Sequence, residues 1–164
     1  MENKKSFDRV LLTLGLVVAA ALAFTACGRT ETQLGLNADA DGRALRGFDA
    51  VAYFAADSAV KGDPKYEYAW NGAKWLFSSE ENMKKFQADP EAYAPQFGGY
   101  CSYAVSEGYT ADGDPEAWKV VDGKLYLNYN RQVKEKWEQN QTERIDKGTD
   151  NWQQFKKKKP EHKG

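Results

Sequence analysis

Thiol and imidazole groups are scarce in this chain. Its 164 residues include two cysteines, one histidine and two methionines. Cys27 and Cys101 are too far apart to form a Cys-x-x-Cys motif, so a dithiol redox motif is excluded. There is no His-Glu-x-x-His run, no phosphate-cradling glycine loop and no Ser-His-Asp arrangement. The single histidine, His162, lies among C-terminal lysines, away from Cys101, which argues against a Cys-His nucleophile pair. Neither sign of charge dominates, with 23 Lys and Arg against 24 Asp and Glu, so nothing points to nucleic acid. Beyond residue 24 there is no long apolar run. These absences predict a protein that is not an enzyme.

The chain is rich in aromatic residues, and they are ordered. Tyr66, Tyr68 and Trp70 alternate along one predicted strand, and Trp75 and Phe77 along the next. Asn71-Gly72 between the two runs is a hairpin signal, because both residues tolerate the positive φ of a type I′ turn. Ser78 reads as the N-cap of a following helix, with Glu81 placed to close a capping box. Met83 and Phe86 fall on one side of that helix, and Asp89-Pro90 stops it.

Tyr68, Gly72, Trp75, Phe77, Ser79, Phe86, Pro90 and Tyr93 follow the pattern Y-x-x-x-G-x-x-W-x-F-x-S-x(6)-F-x-x-x-P-x-x-Y, which resembles the YHS domain. Gly47 to Phe54 is similar to the segment that opens that domain, so the resemblance covers residues 46–97. The later GGYCSYAVSEG and VVDGKLYLNYN runs resemble the periplasmic branch of the family. The resemblance implies a metal-associated module, with copper as the candidate cofactor. Members proposed to bind metal carry cysteines where this chain has Ala52, Ser78 and Asn82. Without thiolates, the soft donors that select copper or zinc are missing there.

Residues 1–26 read as a targeting leader. Lys4, Lys5 and Arg9 precede a run from Val10 to Phe24 that is shorter than a membrane span. Phe24-Thr25-Ala26-Cys27-Gly28 resembles a bacterial lipobox, which implies a lipid on Cys27 and anchoring in the cell envelope, facing the periplasm. Gly28 after that cysteine implies the outer membrane in a Gram-negative host. Cleavage would remove three basic and two acidic residues, leaving 20 Lys and Arg against 22 Asp and Glu. Cys101 would then be the one free thiol, and the fold would rely on its core. Residues 27–45 are expected to form a tether. Asp39, Asp41 and Gly42 lack the rest of a calcium loop, so linker is the preferred reading there.

Downstream, Gly98-Gly99 sets Cys101 between Tyr100 and Tyr103. A lone cysteine is commonly a small buried hydrophobe; the alternative is a ligand or reactive thiol beside an aromatic pocket. Ala111 to Glu116 is a turn-rich loop bearing three carboxyl groups. Trp118 to Val121 and Lys124 to Tyr129 flank Asp122-Gly123 as a second hairpin, with Leu125, Leu127 and Tyr129 expected on one face. Asn130 is placed to cap a helix over 131–139, in which Val133 and Trp137 pair. A further amphipathic helix is expected from Lys147 to Phe155, and residues 156–164 are expected to be a disordered basic tail.

The expected architecture is a single α+β domain over 46–155: a small antiparallel sheet made from two hairpins, with helices on one face. The expected function is a binding module for a metal ion or small ligand. Cys101, Tyr53, Trp75, Tyr100 and Tyr103 would form the pocket, and Cys101 with Met83 would supply soft donors for copper. The alternatives are recognition of another envelope component and, third, a thiol-dependent redox protein.

Overall fold

The computed structural model describes residues 35–157 and 161–163, and these belong to one unit. The leader expected at 1–26 and the lipidation residue Cys27 lie outside the described residues. Two hairpins and six helices make up the described α+β fold, and no described helix is long and apolar enough to cross a membrane.

The first hairpin forms as the alternation predicts. β1 (Asp63–Trp70) and β2 (Ala73–Phe77) pair antiparallel, with Tyr68 opposite Trp75 and Trp70 opposite Ala73. Asn71 and Gly72 both have positive φ, at 49° and 77°. The Trp75 face is covered by α2 (Glu80–Ala88), whose Phe86 ring lies 4.7 Å from Trp75 and 5.1 Å from Phe77. The cap, however, is Ser79 rather than Ser78: the Ser79 hydroxyl accepts from Asn82 N–H at 3.1 Å. The Ser78 hydroxyl is drawn away by Asp49. Glu81 closes no capping box and instead pairs with Lys85 at 2.8 Å. Asp89 ends α2 and caps the short α3 (Pro90–Tyr93).

The short α1 (Ala52–Ala55) precedes this hairpin, and α4 (Ser102–Ser106) precedes the second. The second hairpin pairs β3 (Asp114–Val121) with β4 (Lys124–Asn128). α5 (Arg131–Gln139) begins at the Asn130 cap, as its sequence predicts. It covers the Tyr126 face of β4, with the Tyr126 and Trp137 rings 5.4 Å apart. Both faces of β4 are therefore buried, while Tyr129, expected on the inner face, lies past the strand end and is 49% exposed.

The two hairpins do not join into one sheet. Each remains a two-stranded sheet, because other segments take the free edges: Ala44 N–H donates to Lys74 O, and Cys101 bridges to Leu127. They share one core all the same, in which Leu125 and Leu127 join Tyr53, Trp75, Phe77 and Phe86.

The helix expected from Lys147 begins earlier, as α6 (Gln141–Phe155). Its polar first turns are held by Arg144, which reaches Ser106 Oγ at 3.0 Å and Glu107 at 2.8 Å. Gly148 lies against the Phe97 ring. The described parts of two segments expected to be free, 35–45 and 161–163, are part of the fold. Ala44 and Leu45 of the supposed tether are buried, and Asp39 accepts from the N–H groups of Asp41 and Arg43. At the other end, Thr110 exchanges backbone hydrogen bonds with Glu161 and Lys163. In both places backbone pairing, which leaves no apolar pattern in the sequence, holds the chain down.

Candidate functional site

Asp49 is the most connected polar side chain in the first half, and it is 0% exposed. Its Oδ1 accepts from the N–H groups of Val51 and Ala52 at 2.8 and 3.3 Å. Its Oδ2 accepts from Ser78 N–H at 2.8 Å, the Ser78 hydroxyl at 2.6 Å and the Asn82 amide at 2.7 Å. Five donors therefore compensate the desolvation of one buried carboxyl group. Sequence reasoning singled out Ala52, Ser78 and Asn82 but not the acid they surround. Asp49 carried no signal of its own, because its partners Ser78 and Asn82 lie far along the chain.

Cys101 is 1% exposed, and burial pushes its thiol pKa up. Its Sγ sits 3.9 Å from Asn128 Oδ1, and it packs with Ala104 and Ala111. Of the other expected pocket residues, Tyr103 packs against this cluster, whereas Tyr53 and Trp75 belong to another. Trp75 is buried against Phe86, with its indole N–H donating to Trp70 O at 3.0 Å. Tyr53 is buried in the same cluster and its hydroxyl donates to Pro115 O at 3.0 Å. Tyr103 is stacked under the Arg144 guanidinium at 4.0 Å, and Tyr100 lies between Trp152 and His162. Met83 packs against the Trp75 cluster, which is separate from that of Cys101. His162 places Nδ1 3.0 Å from Thr110 Oγ and Nε2 3.5 Å from Asp112. His162 and Asp112 are open to solvent but Thr110 is fully buried, so the hydroxyl of this row is closed to a substrate.

Space for a ligand exists elsewhere. A cavity of about 570 Å³ is bordered by Trp70 and Asn71 at the first hairpin tip, by Glu91 and Phe97 after α2, and by Trp152 and Lys156 of α6. A smaller one of about 350 Å³ lies beside Asp39, Arg46 and Asp112. Neither is lined by Cys101, Tyr53, Trp75, Tyr100, Tyr103 or Met83. The larger volume is in the range of small-molecule sites, and its aromatic walls with polar groups at the rim have the composition of one.

Residues 51–97 match the family model of the YHS domain. This segment of the chain is a YHS domain. No curated protein and no solved structure matches the chain. The YHS domain is associated with metal binding, copper in particular. Whether this YHS domain fits a metal can be judged from its donors. The three positions where other members carry cysteine converge here on Asp49, and two of them spend their polar groups on its carboxyl. Among the described residues, no group of three His, Cys, Asp or Glu side chains is placed to hold a metal ion. The donor set around Asp49 is hard and already saturated, which does not suit Cu(I).

Proposed function

We propose that the chain is a lipid-anchored binding module of the bacterial envelope that holds a small organic ring with a polar edge. The observation that carries this reading is the 570 Å³ groove, where half-buried Trp70 and Trp152 present apolar ring surface beside the buried Phe97, and Asn71, Glu91 and Lys156 bring polar groups to the rim. Aromatic faces gain from stacking on a flat ligand, while amide, carboxyl and ammonium groups fix its orientation. The lipobox-like Phe24 to Gly28 supports the anchor. The role is binding rather than catalysis, since among the described residues Glu91, Thr149 and Lys156 line the groove but none forms a nucleophile–base pair there. Tyr129 is the one large hydrophobic side chain that is exposed among the described residues, so a broad protein-docking face is not favoured.

The test is a titration of the protein, followed by tryptophan emission and by ¹H–¹⁵N spectra, against monosaccharides and heteroaromatic amides. Saturable shifts confined to the Trp70 and Trp152 indoles, weakened about tenfold or more by Trp152→Ala, support the groove. If neither indole responds to any probe, the groove is not the site. Loading with Cu(I) and Zn(II) under reducing conditions separates out the metal reading: retention of about one metal per chain, lost in Cys101→Ala, would restore it. Loss of Cys27→Ala from the membrane fraction supports the anchor.

A further inference from the structure

The two halves of the fold run in step. Gly62-Asp63-Pro64 opens β1, and Gly113-Asp114-Pro115 opens β3, 51 residues later. Both opening strands have eight residues and both return strands have five. The turns coincide at Asn71-Gly72 and Asp122-Gly123, with φ of 49° and 77° against 49° and 71°. The register breaks coincide as well: Asp63 faces Phe77 and Glu67 faces Leu76, while Asp114 faces Asn128 and Trp118 faces Leu127. Asp63 and Asp114 each accept from the N–H two residues on. α2 and α5 have nine residues each, and their caps Ser79 and Asn130 each accept from the N–H three residues on. Even the ring pairs correspond, with Trp75–Phe86 at 4.7 Å and 33° and Tyr126–Trp137 at 5.4 Å and 35°.

The correspondence extends upstream, at a separation of 52 because the second half has one residue fewer before its hairpin. Leu45-Arg46-Gly47 has φ of 51°, 48° and 78°, and Phe97-Gly98-Gly99 has 53°, 60° and 78°. Leu45, Arg46 and Phe97 are rare conformations for residues with a Cβ. Asp49 N–H donates to Val60 O at 2.8 Å, and Cys101 N–H to Ala111 O at 2.9 Å. A type I′ hairpin alone is common. A shared bulge, cap and ring pair at a spacing of 51, with a left-handed triplet at 52, do not arise from hairpin geometry alone.

We infer that residues 97–139 are a second copy of the unit formed by residues 45–88, and that the two copies are packing partners within one chain. Tyr53 of the first stacks edge-on to Trp118 of the second at 5.1 Å and donates to Pro115 O. Leu125 and Leu127 complete the first copy's core. Cys101 is then the counterpart of Asp49 and not of a metal-ligand position. In the first copy the N–H of Val51 is satisfied by Asp49; its counterpart, Tyr103 N–H, is satisfied by Asn128 Oδ1 at 3.2 Å. The counterparts of Ser78 and Asn82 are Tyr129 and Val133, so the second copy lacks the two side-chain donors that the Asp49 carboxyl has. The donors in place are Asn128 Nδ2, buried without a partner, and the backbone N–H groups of Ala104, Tyr129 and Tyr103, which favour the charged form of the Cys101 sulfur.

This assignment is independent of what fills the groove, and it makes a prediction that ordinary packing does not. In the full chain, Cys101→Asp should lower the urea midpoint, because the new carboxyl lacks the hydroxyl and amide donors that Asp49 has. Adding Tyr129→Ser and Val133→Asn should recover most of that loss, measured against the Tyr129→Ser/Val133→Asn double variant. A triple variant no more stable than Cys101→Asp overturns the equivalence. If Cys101→Asp leaves too little folded protein, cross-strand NOEs in the wild-type chain decide. Contacts Trp118–Leu127 and Asp114–Asn128 with a break between them support the second copy, and an unbroken β3–β4 register overturns it.

Discussion

At Asp49, a single side chain joins three segments: the opening turn, the end of β2 and the first turn of α2. A carboxyl group held by five donors is tolerated in a core where a bare one would not be. Asp49→Ala strands the N–H of Val51 in a fully buried site and frees Ser78 and Asn82. The expected loss is about 3 kcal/mol, read from urea unfolding, on the usual cost of unsatisfied buried donors. A loss no larger than that of an exposed substitution would show that water replaces the carboxyl. Asp49 also explains the misplaced cap. Ser78 and Ser79 offer the same hydroxyl to the helix, and local sequence does not separate them. What separates them is an acid 29 residues upstream that occupies one of the two.

Among the elements, α6 shows packing overriding propensity. Gly148 in mid-helix would ordinarily be improved by alanine, by about 1 kcal/mol. Here a Cβ would meet the Phe97 ring at 2.8 Å, and Phe97 is itself held in a left-handed conformation at φ 53°. Gly148→Ala is therefore expected to destabilise by about 1–3 kcal/mol, the range for overpacking a filled site. A rise in the melting temperature would show that the ring moves aside freely. The sequence of α6 shows its second half through Trp152 and Phe155. Its first half is polar, and its helicity depends on Arg144 meeting α4, a contact that no local pattern announces.

For the whole molecule, the shared core predicts one cooperative transition, with a defined response to alkali. Burial raises the pKa of the Cys101 thiol and of the Tyr53, Tyr100 and Tyr126 phenols. When an acid's pKa is higher in the folded state, the native protein keeps protons that the unfolded chain releases. Stability is then full below the unfolded values and falls as pH climbs past them, from about 9 for the thiol and about 10 for the phenols. Urea midpoints measured from pH 7 to 11 should decline across that window, and Cys101→Ala should flatten its lower edge. A flat profile would mean that these groups are hydrated in the native state. The same burial should keep the thiol slow towards alkylating reagents until the chain unfolds.

The sequence alone determined both hairpins, their turn residues, the start of α5, the end of α2 and the YHS segment. Each of these rests on local physics: strand alternation, positive φ at Asn-Gly and Asp-Gly, a capping side chain, a proline. The repeat was also present in sequence, as Gly-Asp-Pro recurring before each hairpin, but its substituted core residues hide it until the bulges and turns are laid side by side. Only the tertiary structure decided that the hairpins stay separate sheets, that Ala44 and the segment from Glu161 to Lys163 pair with the fold, and that Asp49 organises the first copy. It also moved the open aromatic surface from Cys101 to Trp70 and Trp152. Each of these depends on residues distant in sequence competing for the same hydrogen bond or the same apolar surface, a competition settled only when the chain folds.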